Sequence, residues 1–193
     1  MRIIAGTLKG RRLKTPSWDG LRPTSDRLRE TLFNILAPRL AGARVVDGYA
    51  GTGAIGIEAI SRGAADVVFI DRDRRAQALV AENLAHCGVR TGYTIARADA
   101  LRALEALAPS AGESGGASGG GFDVMLFDPP YDQLREDTGR VLAAAGRLLA
   151  PGGVIVLEHA RRGVAPQAIV GLRQVREVGS GDSMLSFYER GRD

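Results

Sequence analysis

The most constraining feature of this chain is the run Asp47-Gly48-Tyr49-Ala50-Gly51-Thr52-Gly53-Ala54-Ile55-Gly56, set between a predicted strand and a predicted helix. Gly51, Gly53 and Gly56 satisfy G-x-G-x-x-G, and Asp71 lies 20 residues beyond Gly51 at the end of the next predicted strand. Glycines there let the backbone approach a nucleotide, and an acid at that distance accepts from ribose hydroxyls. The pattern alone is ambiguous, because dinucleotide folds share it. In the nicotinamide pattern the first glycine follows the strand almost directly. Here Asp47 ends the strand and three residues precede Gly51. D-x-x-x-G-x-G suits S-adenosylmethionine, with Asp47 facing the ammonium of its methionine part, directly or through water.

The surrounding pattern is an alternation of strands and helices. Strands are predicted at Arg44–Asp47, Asp66–Ile70, Tyr93–Ala96, Phe122–Phe127 and Val154–Glu158. Helices are predicted at Ala54–Arg62, Arg74–Cys87, Leu101–Leu107 and Arg135–Leu149. Such alternation gives a parallel sheet covered on both faces. Gln174–Val178 and Ser183–Arg190 break it as a closing hairpin. Upstream, Arg2–Ala5 and Arg11–Lys14 read as two short strands, followed by a helix over Arg27–Leu36 with Thr24–Ser25 as its cap. Residues 110–121, SAGESGGASGGG, have flexible-linker composition and read as a surface insertion. Asp99, ending the third strand of the repeat, is placed either to accept from an adenine amine or to cap the next helix, and both roles are compatible.

Strand four ends in Asp128-Pro129-Pro130-Tyr131. Two prolines remove two N–H donors after a buried strand and fix a rigid turn at the sheet edge where ligands bind. The chemistry fits an exocyclic amine, whose lone pair is delocalised into its ring. The Asp128 carboxylate and the Pro129 carbonyl are candidate acceptors for its hydrogens, and Tyr131 a stacking platform. Holding the amine near a sulfonium methyl makes the transfer effectively intramolecular, worth up to roughly 7–11 kcal/mol for ideal alignment. Asp128 is a candidate for the departing proton.

Charge points to the partner. Residues 1–30 hold eight Lys and Arg against three acids, and the remaining residues are close to neutral. A basic segment on a neutral body suits a polyanion bound at one end. Lys9, Arg11, Arg12, Lys14 and Arg22 are the candidates for contacting it. Arg22 and Arg29 would reach phosphates or brace the catalytic turn, or else serve capping and a solvated face. Trp18 is either a packing residue or a stacking platform. One cysteine, Cys87, excludes a disulfide framework and a Cys-based zinc site. Neither His86 nor His159 has metal-ligand spacing. With no apolar leader at the start, the expected location is cytoplasmic.

MRIIAGTLKGRRLKTP, LRPTSDRLRETLFNIL, DGYAGTGAIGIEAISRGA and DVMLFDPPY together resemble the RsmD family. The resemblance covers nearly the whole chain, best over residues 1–160. It implies an α/β, class I SAM-dependent methyltransferase (Rossmann-like) fold: a seven-stranded sheet with the last strand antiparallel and a small N-terminal β-hairpin extension. The division it implies is 1–40 as basic hairpin and helix extension and 41–193 as methyltransferase domain. It implies methyl transfer from S-adenosylmethionine to the N2 amine of a guanine in bacterial 16S rRNA, within the small ribosomal subunit or its assembly intermediate, by a monomer. By position, Asp47, Ala50, Gly51, Gly53, Asp71 and Asp99 match the cofactor site, and Asp128, Pro129, Pro130 and Tyr131 the catalytic turn. The resemblance also implies that the polyanion met by Lys9, Arg11, Arg12, Lys14 and Arg22 is ribosomal RNA. No metal is implied. Gly48 departs from the family, which usually has a bulkier apolar residue there, and Thr52 stands where Ser is common. The alternatives left open are an adenine-N6 methyltransferase acting on DNA or RNA, and an NAD-dependent oxidoreductase that would leave the Asp128–Tyr131 turn unexplained.

Overall fold

The computed structural model describes residues 1–16, 26–108, 121–129, 137–163, 165–166 and 169–191. In chain order the elements are α1 (Asp26–Leu36), a 3-10 turn (Ala37–Arg39), β1 (Arg44–Gly48), α2 (Ala54–Ser61), β2 (Asp66–Asp71), α3 (Arg74–His86), β3 (Tyr93–Arg97), α4 (Ala100–Leu107), β4 (Phe122–Phe127), α5 (Asp137–Leu148), β5 (Leu149–Ala160), β6 (Leu172–Ser180) and β7 (Ser183–Arg190). Seven strands form one sheet of order β3-β2-β1-β4-β5-β7-β6. The first five are parallel, and β7 runs antiparallel to both of its neighbours.

Strand alternation sorts the core into two layers. Val45, Val67, Phe69, Val124 and Leu126 face one cluster, packed with Leu32 and Phe33 of α1, Ile57 of α2 and Val80 of α3. Val46, Val68, Ile70, Met125 and Phe127 face the other, with Leu104 of α4 and Leu142 of α5. Gly56 sits where α2 crosses β2: a Cβ there would lie 2.2 Å from the Phe69 ring, so any side chain would force helix and sheet apart.

Two predicted elements differ. Strand β5 begins at Leu149 rather than Val154, because pairing resumes on both sides of Pro151-Gly152-Gly153. Phe122 pairs with Leu149 and Val124 with Val154, so the intervening β5 residues form a bulge. The N-terminal segment is not two full strands. A single bridge joins Arg2 and Arg12, flanked by Ile3 N–H to Arg11 O (2.9 Å) and Leu13 N–H to Met1 O (3.1 Å). Some of its other backbone donors go to helix side chains. Ile4 and Ala5 N–H donate to the Glu58 carboxylate at 2.7 and 3.0 Å, and Leu8 N–H to Ser61 Oγ at 2.9 Å. Ile3 and Leu13 enter the same apolar cluster as β1 and α1. The proposed cap Thr24–Ser25, Trp18 and most of the 110–121 insertion lie outside the described residues. Among the described residues no helix is long and apolar enough to cross a membrane.

Candidate active site

The chain leaves β1 toward β2 on one side and β4 lies on the other, so the strand order reverses between β1 and β4. A crevice at the carboxyl ends of the strands is expected there. Gly48 pairs with Ile70 of β2 and with Phe127 of β4. The end of β1 therefore has Asp71 one residue past its β2 partner and Asp128 one residue past its β4 partner. Adjacent strands are separated by about 4.8 Å, so the glycine loop, Asp71 and the Asp128–Pro129 turn share one edge. Asp128 is half-buried and Pro129 buried. Pro130 and Tyr131 lie outside the described residues, as does Arg22.

The loop is held by its own backbone and by two acids. Ala50 N–H donates to Ile70 O (2.9 Å), and Gly53 N–H to Ala50 O (2.7 Å). Gly51 and Gly53 have φ of 55° and 75°, the left-handed region where glycine alone is unstrained. Gly51 N–H donates to Asp71 Oδ2 (3.0 Å), and Asp73 N–H to Asp71 Oδ1 (2.9 Å). Asp47 accepts the Gly56 N–H at 2.8 Å, tying the end of β1 to the first turn of α2. Asp47 is fully buried, and burial pushes its carboxyl up to about 7, opposed by the Gly56 bond and reinforced by Asp71.

Asp99 caps α4 by accepting from Leu101 N–H at 3.0 Å, and it also borders a cleft. The cleft is lined by Tyr49, Ile70, Asp71, Arg72, Ala98, Asp99 and Ala100. Cap and cleft wall are thus one residue, as the sequence allowed. Ile70, Ala98 and Ala100 give the cleft apolar walls beside the carboxylates of Asp71 and Asp99.

Tyr49 was not singled out by sequence. It lines the cleft, and it is a non-glycine at φ 68°, a conformation costing roughly 1–2 kcal/mol. Burial, then the negative charges of Asp99 and Asp137, push its hydroxyl up to about 12. The signal available was its place inside a strand-to-helix glycine loop.

Lys9, Arg11, Arg12 and Lys14 are all exposed. Lys14 Nζ pairs with Glu82 at 3.0 Å, and Arg11 Nη1 donates to His86 O at 3.4 Å. Arg29 is on no solvated face. It is wholly buried, with Nη2 donating to Arg2 O (2.6 Å) and Asp26 Oδ1 (2.9 Å), so it anchors α1 to the N-terminal segment. Cys87 is buried, which raises its thiol. Among the described residues no cluster of three or more His, Cys, Asp or Glu is suited to a metal.

A parallel sheet extended by an antiparallel hairpin, with a glycine loop after β1 and carboxylates at the following strand ends, is the class I S-adenosylmethionine-dependent methyltransferase fold. The solved structure of the Escherichia coli yhhF protein matches at TM-score 0.79 and 32% identity, covering 98% of this chain and 97% of that one. The family described as Conserved hypothetical protein 95 matches residues 1–189. Ribosomal RNA small subunit methyltransferase D of Escherichia coli strain K12 is 36% identical over 191 residues, 98% of this chain and 90% of the relative. Bacillus subtilis YlbH is 35% identical over 190 residues, 98% and 99% of the two chains. The chain belongs to the RsmD family of methyltransferases.

Proposed function

We propose that this chain methylates the exocyclic N2 amine of a guanine in 16S rRNA, with S-adenosylmethionine as donor. The observation that carries this is the strand register: Asp128 and Pro129 sit at the β4 end, beside the β1 end that carries the glycine loop. The relatives named as small-subunit rRNA methyltransferases supply the choice of nucleic acid.

The residues fit the cofactor. Asp71 would hold the ribose hydroxyls and Asp99 the adenine amine. Ala50, Gly51 and Gly53 would give the loop its close approach, and Asp47 would take the ammonium. When bound, S-adenosylmethionine supplies an electrophilic methyl on a sulfonium. The chain's own contribution is to present an amine to it. The Asp128 carboxylate and the Pro129 carbonyl accept the two amine hydrogens, which localises the lone pair. Asp128 takes the proton, and Tyr131, which lies outside the described residues with Pro130, is the residue the sequence offers for stacking on the base. Extracting the base costs a few kcal/mol, offset in part by about 1–3 kcal/mol of stacking. Residues 1–40 serve as the RNA-contacting extension of the methyltransferase domain 41–193, through Lys9, Arg11, Arg12, Lys14 and Arg22.

The test is transfer of labelled methyl to small subunits from a strain lacking the enzyme, followed by nucleoside mass spectrometry. N2-methylguanosine is the expected product. N6-methyladenosine would replace the guanine reading with the adenine one, and no label in rRNA would refute both. Asp128→Asn should lower kcat by about 10²–10³, the size of losing one polar group at a reacting centre, with S-adenosylhomocysteine affinity retained.

A further inference from the structure

Asn83 lies on α3 and is wholly buried. Its amide is spent on two distant segments. Oδ1 accepts the Lys14 N–H at 2.7 Å, while Nδ2 donates to Lys14 O (3.1 Å) and to Thr52 O (2.9 Å). The amide's orientation follows from its partners, since an N–H needs the oxygen and two carbonyls need the NH2. One side chain thus pairs with Lys14 as a neighbouring strand would, and with the carbonyl between the two left-handed glycines of the cofactor loop. Thr52 Oγ1 also approaches Met1 Sδ at 3.7 Å.

The linkage closes into a ring. From Thr52 the chain runs directly into α2, where Glu58 holds Ile4 and Ala5, and Ser61 holds Leu8. The basic segment returns from there to Lys14 and to Asn83. Every link is a backbone group bonded to a buried or half-buried side chain, so the glycine loop cannot shift without moving the segment that carries Lys9, Arg11, Arg12 and Lys14. At position 83 Asp would lack both donors, and Ser would have one.

We infer that Asn83 is a positioning residue that makes the basic N-terminal segment and the cofactor loop one mechanical unit, so that RNA bound to the segment and cofactor bound to the loop alter each other's affinity. The inference rests on the proposed function. Coupling of this kind is reciprocal and, at its smaller end, about fivefold.

The experiment is calorimetric titration of S-adenosylhomocysteine into the full chain, alone and saturated with unmethylated 16S rRNA, and the reverse titration of RNA with and without S-adenosylhomocysteine. The wild type should show the same factor, about fivefold, in both directions. Asn83→Ala cuts both of its links and leaves only the route through Glu58 and Ser61, so it should lower both factors equally toward one. Lys14→Pro removes the N–H that Asn83 Oδ1 accepts and leaves the bonds from Asn83 Nδ2 to the carbonyls of residues 14 and 52. It should lower the factor while free-chain S-adenosylhomocysteine affinity stays wild-type, and it decides the matter if Asn83→Ala does not fold. Lys14→Ala keeps the backbone bonds, so it should weaken RNA binding yet retain the factor. Both ligands binding the wild type without coupling, or coupling undiminished from wild type in Asn83→Ala or Lys14→Pro, overturns the inference alone. A wild type that binds RNA but no S-adenosylhomocysteine overturns the cofactor reading and this inference with it.

Discussion

Gly48 and Phe127 are paired residues on adjacent strands, and the ring occupies the space that a side chain at 48 would fill. A Cβ at Gly48 would lie 2.4 Å from Phe127 Cδ1 and 2.6 Å from Cε1, where carbon contacts settle at about 3.5–4.0 Å. In Gly48→Ala the ring must therefore retreat by roughly 1 Å. Phe127 is buried in the cluster with Val46, Val141 and Leu142, so it has no open side to retreat to. Overpacking of this kind costs about 1–3 kcal/mol. Replacing glycine at an ordinary φ returns about 0.4–1 kcal/mol through the unfolded chain. The clash wins, leaving a net loss of about 1–2 kcal/mol and a Tm lower by roughly 2–8 °C. Phe127→Leu alone opens a void, but combined with Gly48→Ala it supplies room for the new methyl. Urea unfolding of the two single variants and the double variant should give a favourable interaction energy of at least about 0.5 kcal/mol. Methyl transfer should track the ring, since Asp128 follows Phe127 directly: reduced in Gly48→Ala and recovered in the double variant. Additive unfolding energies would refute the reasoning.

The remaining predictions concern charge. Asp47 titrates near 7 in the folded chain instead of 3.8, so its contribution to stability is present below about pH 4 and is lost as pH rises toward 7; Asp47→Asn should flatten that decline in a pH series of unfolding measurements. A cationic ammonium selects the ionised form, so S-adenosylhomocysteine binding near pH 7 should release a fraction of a proton, and identical calorimetric enthalpies in two buffers of different ionisation heat would exclude it. Arg11→Gln and Arg12→Gln should each reduce the slope of log affinity for RNA against log salt by about 0.7–0.9 while leaving S-adenosylhomocysteine affinity unchanged, and an unaltered slope would remove those residues from the interface.

The parallel layers and the closing hairpin were legible because periodicity and turn residues are local signals. Strand β2, with Val67, Val68, Phe69 and Ile70 in succession, announces burial on both faces, and the structure leaves all four buried. The switch-point placement of Asp47, Asp71 and Asp128 followed from each ending a strand of a parallel sheet. What stayed hidden depends on side chains from remote segments. Nothing in the 1–16 pattern marks Glu58 and Asn83 as the groups that would absorb the arm's backbone donors, 53 to 69 residues away. Arg29 sits in a helix that looks amphipathic, and only the arm folding across α1 turns its position into a buried one. Tyr49 was missed for a different reason: a left-handed backbone is read from glycine, and here a tyrosine adopts it beside two glycines that do so at no cost.

The acids of the site share a design that bears on how a ligand would be held. Asp71 accepts from Gly51 and Asp73, Asp99 from Leu101, and Asp47 from Gly56, so each carboxylate is oriented by a backbone N–H without any ligand contact. A carboxylate fixed in this way loses little side-chain freedom on binding, and its remaining lone pairs point where the fold has aimed them. The three differ in surroundings. Asp71 and Asp99 border an open cleft, whereas Asp47 is buried with burial outweighing its backbone bond. A buried carboxylate that a neutral donor does not fully compensate is stabilised most by a cation. Of the three acids, Asp47 is therefore the one whose environment calls for a charged partner.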